Sequence, residues 1–171
     1  MLWFDVCEYW IGGYNYKGVA WCWYIPPELY GVLTMNLLEF LALELSIYMT
    51  IQQLGHRSHT LSFTDSSSAL RWMHIAYFDP VNKVGHDTVA QWLRWTLVSN
   101  EASLYSQHIK VTKNIIVDSH SRDFNISYQS LTQNFSSILT PQIAASFHIK
   151  LPPREIISCI LSLESSSTWP R

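Results

Sequence analysis

A mixed α/β domain, with a five-stranded sheet flanked by helices and a short helical tail, is predicted by three features of this sequence. Short runs rich in aromatic and branched residues open the chain, a nearly all-apolar helical stretch follows, and strand-like and helix-like segments then alternate as far as residue 124. The composition suits a folded body, since 48% of residues are hydrophobic, only 14% are charged, and there are 8 Trp and 9 Tyr. With 171 residues the chain fits one main domain over residues 1–124 and a tail over 125–171 that holds two short helices and a frayed serine-rich end.

Leu2 to Cys7 and Val19 to Ile25 read as strands, and Asn15 to Gly18 marks a turn between strands. Gly12-Gly13 is either a bulge inside a middle strand or its end, and Pro26-Pro27 stops the sheet. Asn36 can cap the next helix, which puts Glu39 at the third helical position, as in a capping box. Leu37, Leu41, Leu45 and Tyr48 recur at helical spacing, Leu38, Ala42 and Ile47 widen the apolar face, and Gly55 ends the helix. Thr60 to Thr64 is a short strand, and Asp65 to Ser68 supplies capping groups for a helix over Ala69 to Ile75 that Asp79-Pro80 breaks. Val89, Leu93 and Leu97, with Trp92 beside them, predict a third helix, and Leu104 to Val111 a further strand. In the tail, Leu131, Phe135, Ile138 and Leu139 keep helical spacing, as do Ile156, Ile157, Ile160 and Leu161 after Pro152-Pro153. The order is β-β-(β)-α-β-α-α-β.

A formal net charge of −2 provides no global positive field, so a nucleic-acid partner would have to meet a local patch. Cys7, Cys22 and Cys159 have no paired metal-ligand spacing, which argues against a disulfide framework or a structural zinc and for a reducing compartment. The longest apolar stretch, Leu37 to Ile51, carries Glu39 and Glu44 and is shorter than the roughly 18–20 residues that span a bilayer. It reads as a core helix. No secretory signal is visible at Met1 to Asp5, so the expected setting is intracellular, in cytoplasm or nucleus, without a membrane.

Asp65 ends an apolar strand pattern where a helix begins, so its carboxylate is displayed at a sheet edge. Asp5, Glu39 and Asp118, the last after Asn114-Ile115-Ile116-Val117, sit in comparable settings. Four carboxylates on separate elements suggest a metal site if the fold gathers them. Each also has a structural reading: Glu39 and Asp65 as capping residues, Asp5 as the end of an edge strand, Asp118 as a surface aspartate.

Several segments resemble one family in order and spacing: Phe4-Asp5 with Gly12-Gly13, Asn36 to Ala42, and Thr64-Asp65-Ser66-Ser67-Ser68-Ala69-Leu70-Arg71-Trp72. The most specific is Ser106-Gln107-His108-Ile109 followed by Asn114 to Asp123, which looks like an "N-x-x-A-D-x-L-S-R" ending. Over roughly residues 1–124 the chain resembles the ribonuclease H domain attached to reverse transcriptases of long-terminal-repeat and tyrosine-recombinase retroelements. It departs from the family at Val111, usually glycine, at Val117, usually alanine, and at His120, usually leucine.

The resemblance implies a ribonuclease H-like fold and an endonuclease that hydrolyses the RNA strand of RNA–DNA hybrids by two-metal catalysis. Asp5, Glu39, Asp65 and Asp118 would be both catalytic residues and ligands of two Mg²⁺ ions, with Mn²⁺ as a substitute. Ser66, Ser67 and Ser68 at a helix start, with Lys110, Lys113 and Arg122, would contact the substrate. The chain has no Tyr-x-Asp-Asp polymerase signature and begins four residues before Asp5, so the resemblance also implies a piece of a longer polyprotein whose polymerase domain comes first.

A histidine near two-metal carboxylates could shuttle a proton to or from the leaving group, but His108 lies in a strand pattern and is expected to be packed, and His120 is read as drift from the family. Trp10, Trp21 and Trp23 could stack on bases, though burial is the stronger expectation, and Trp72, Trp92 and Trp95 are expected to pack in the core. The alternative function is a decayed, non-catalytic domain that keeps the fold as a structural or tethering module. An integrase- or resolvase-like nuclease is disfavoured by the opening hairpins and the late Asn114 to Arg122 motif.

Overall fold

A computed structural model describes residues 1–75, 83–114, 127, 129–130, 133, 148–150, 153–154, 158 and 161–162. It is a mixed α/β structure. Strands β1 (Leu2–Val6), β2 (Trp10–Asn15) and β3 (Val19–Tyr24) are followed by the long helix α1 (Met35–Leu54), then β4 (His59–Thr64), α2 (Ser67–Ile75), α3 (Lys83–Ser99), β5 (Ser103–His108) and a short β6 (His148–Lys150). The sheet order is β5-β4-β1-β2-β3-β6. β2 runs antiparallel to both its neighbours, β1 and β3, while β4 runs parallel to β1, β5 parallel to β4, and β6 parallel to β3.

The predicted order of elements holds, with one addition. β6 arises beyond residue 124, in the stretch expected to be a helical tail, and extends the five expected strands to six. The helices expected around residues 131–139 and 156–161 fall largely outside the described residues.

Alternation builds the sheet. Leu2, Phe4 and Val6 are buried, while Trp3 turns to the opposite face and stacks on Tyr14 and Phe63 at centroid distances of 4.9 and 5.2 Å. α1 packs on β1 and β2 on one side and on α2 and α3 on the other, so Leu37, Leu38, Leu41, Ala42, Leu43 and Leu45 are all shut from solvent. Among the described residues no helix is long and apolar enough to cross a membrane.

Three local expectations change. The cap of α1 is Thr34, whose Oγ1 accepts a hydrogen bond from the Leu37 amide at 3.4 Å, and Asn36 is exposed in the first turn. Glu39 is therefore more than a turn inside the helix, too far along to close a capping box. α3 buries Val89, Leu93 and Thr96 against α1, which rotates Trp95 outward to 68% exposure, so Trp95 is not a packing residue. Trp72 is buried as expected, and Trp21 and Trp23 are core residues at 2% and 6% exposure, which removes them as base-stacking groups.

Gly12 and Gly13 are neither a bulge nor a strand end, because the ladder runs through them in regular register, Asp5 to Gly12 and Phe4 to Gly13 on one side, Cys22 and Trp21 on the other. Gly13 is required by close approach: a Cβ there would lie 2.7 Å from Ser46 Oγ, 2.8 Å from Trp21 Nε1 and 2.9 Å from the Trp3 carbonyl. Gly13→Ala should lower unfolding free energy by about 1–3 kcal/mol in a urea titration, because α1 must lift off the sheet to admit the methyl group. An unchanged midpoint would contradict that contact.

Candidate functional site

From β1 the chain steps to β2 and β3 on one side, then crosses by α1 to β4 on the other. Parallel β1 and β4 thus flank the point where the direction of winding reverses, the place where open α/β sheets leave a crevice at the carboxyl ends of their strands. Only Leu2 with Ser62 and Trp3 with Phe63 are paired between them. Beyond that short ladder the two strand ends are unpaired with each other, and the acids stand there: Asp5 two residues past the last pair on β1, Asp65 immediately after β4.

Glu39 joins them from α1. Ser66 Oγ donates a hydrogen bond to Glu39 Oε2. The Glu39 carboxyl is held above its ordinary range chiefly by partial burial, and further by the negative charges of Asp65 and Asp5, while the Ser66 hydrogen bond pulls the other way. Glu39 therefore lies within the electrostatic field of two of the other acids singled out in the sequence, Asp65 and Asp5. Asp118, Arg122 and His120 lie outside the described residues.

Ser66, not Asp65, caps α2. Its Oγ accepts from the Ala69 amide at 3.0 Å, and its own amide donates to Thr64 Oγ1 at 3.0 Å. The Asp65 carboxylate is thus free of capping duty and accepts instead from Asn114 Nδ2 at 3.3 Å. His108 is exposed rather than packed, at the end of β5, and its Nε2 donates to the Asp65 carbonyl at 3.1 Å.

The expected substrate-contact residues separate. Ser66 is buried, with its hydroxyl engaged by Glu39 and Ala69, while Ser67 is exposed and Ser68 half-buried in the first turn of α2. Lys110 and Lys113 are exposed on a 3-10 turn, where the Lys113 amide donates to the Lys110 carbonyl at 2.8 Å, between β5 and Asn114. They stand at the same end of the sheet as the acids and could meet phosphates there.

Among the described residues, no three His, Cys, Asp or Glu side chains close into a group that would grip a metal ion. The donor chemistry of Asp5, Glu39 and Asp65 suits a hard divalent cation, because all are carboxylate oxygens and the charges of Asp65 and Asp5 both act on Glu39. In the sequence Asn114 stands only as the first residue of a motif; its two hydrogen bonds depend on a turn and on a strand order that only the folded chain reveals. Comparisons with protein-family models, curated proteins and solved structures find no match to this chain.

Proposed function

We propose that this chain is a ribonuclease H-type endonuclease, of the kind attached to retroelement reverse transcriptases, that hydrolyses the RNA strand of an RNA–DNA hybrid with divalent cations. The observation that carries the reading is the gathering of Asp5, Glu39 and Asp65 at the carboxyl ends of β1 and β4, with Glu39 under the charge of both other acids. The order of elements, three antiparallel strands, a long helix, a parallel strand, two helices and a parallel strand, supports it.

In this reading Asp5, Glu39, Asp65 and Asp118 hold two Mg²⁺ ions, or Mn²⁺ in their place. Bound there, the ions would supply an activated water and neutralise the leaving 3′ oxygen. The carboxylates orient the cations, Ser66 fixes the Glu39 rotamer, and Lys110 and Lys113 attract the backbone of the substrate. Contact with the 2′-hydroxyls of the RNA strand would separate hybrid from DNA duplex.

The test is incubation of the folded chain with an end-labelled hybrid in Mg²⁺. Cleavage of the RNA strand alone is expected, with DNA duplex untouched. A folded protein that binds hybrid and leaves it intact would contradict catalysis and favour the non-catalytic structural module, a reading supported by the departures from the family at Val111, Val117 and His120.

A further inference from the structure

We infer that Asn114 is a positioning residue that ties the carboxyl ends of β1 and β4 together and so sets the spacing of Asp5 and Asp65, an inference that rests on the site proposed above. Its side chain is 1% exposed. The Nδ2 group donates to the Asp65 carboxylate at 3.3 Å and to the Phe4 carbonyl, the residue before Asp5, at 3.4 Å.

The chain path delivers it there. β5 is bonded to β4 as far as the Ile109 amide, which donates to the Thr64 carbonyl at 2.9 Å. The turn over Val111–Lys113 then swings the chain back across the top of β4 toward β1. Asn114 thus reaches both strands just beyond the point where their own ladder, Leu2 with Ser62 and Trp3 with Phe63, has ended. One amide replaces the missing rung.

A second observation separates this role from packing. Asn114 Oδ1 is shut from solvent with no hydrogen-bond partner among the described residues. A buried acceptor left unsatisfied is a cost that an apolar side chain of the same shape would avoid. Packing alone would be better served by leucine; the asparagine is explained by what its Nδ2 group holds.

Asn114→Leu tests this, since it keeps the branching and removes the donor. We expect a urea midpoint at or above that of the wild type, at least tenfold faster hydrogen exchange of the backbone amides at Asp5 and Asp65–Ser66, and a roughly 10–100-fold lower kcat on hybrid in Mg²⁺ with KM unchanged. Wild-type exchange at these amides together with wild-type kcat would overturn the inference. Should the leucine variant fail to fold, the Asn114 Nδ2 protons of the wild type can be followed by nuclear magnetic resonance. They should exchange at least tenfold faster in Asp65→Ala, and an unchanged rate would equally overturn the tie. Neither exchange measurement needs an active protein, so a wild type that cleaves nothing would remove the proposed function and leave the tie to be judged by itself.

Discussion

Asp65→Asn is expected to raise the melting temperature of the metal-free protein and, at the same time, to abolish its response to Mg²⁺ and cut hybrid cleavage by at least about 100-fold. The two halves have one cause. Asp65 and Asp5 push the Glu39 carboxyl upward, so removing one charge relieves repulsion within the group. The same charge is a ligand in the proposed site, and loss of a ligand should exceed the roughly 10–100-fold cost typical of losing an outer-shell partner. Differential scanning fluorimetry with and without Mg²⁺, beside a cleavage assay, reads both. A variant that is less stable without metal, yet responds to Mg²⁺ like the wild type, would make Asp65 a structural residue only.

Glu44→Gln should produce the largest change in stability. Glu44 lies on α1 at 2% exposure, where Thr96 Oγ1 of α3 donates to its Oε1 at 2.7 Å and its Oε2 has no hydrogen-bond partner among the described residues. Burial pushes its carboxyl up to about 8, against which the Thr96 hydrogen bond acts weakly. The folded chain therefore keeps a proton that the unfolded chain releases near its ordinary value of 4.5. Stability falls as pH rises from that value to about 8, and levels off above it. Each pH unit in that window costs about 1.4 kcal/mol, so the neutral glutamine should add about 3 kcal/mol at pH 7 and almost nothing near pH 4. Urea titrations across this range would show the gap between variant and wild type widening with pH. A constant gap would contradict the assignment. Some pH dependence should survive in the variant, because Glu39 is also raised.

Much of the architecture was legible because it rests on local periodicity. The alternation of Leu2, Phe4 and Val6, the apolar run of α1 and its end at Gly55, with φ of 80°, are written in the order of residue types. What was not legible depends on packing. Thr34 and Asn36 are both competent caps, and the helix starts from the earlier one. The outward turn of Trp95 follows from which face of α3 meets α1, and β6 from a pairing with β3 that no local pattern announces.

The site divides in the same way. Asp5, Glu39 and Asp65 are visible in the sequence as acids at the seams of apolar elements, and the fold puts Glu39 in the field of the other two. The sequence offers Ser66 as one of four possible capping groups and as a substrate contact; in the structure its hydroxyl joins Glu39 to the start of α2. Asn114 could not be assigned from spacing, since the Phe4 carbonyl it meets lies 110 residues away along the chain. Glu44 was visible as a charge in an apolar run, but its consequence depends on the α3 residue opposite it.

If Asp5, Glu39 and Asp65 act together as a site for divalent cations, as proposed, the melting temperature of the wild-type chain responds to a Mg²⁺ titration. At about a hundredfold excess over the dissociation constant, binding to the folded state should add about 2.7 kcal/mol, or about 5–10 °C for a chain of this size. The expected result is a rise that continues with concentration and is absent from Asp65→Asn. A wild-type melting temperature that stays flat through millimolar Mg²⁺ and Mn²⁺ would contradict it.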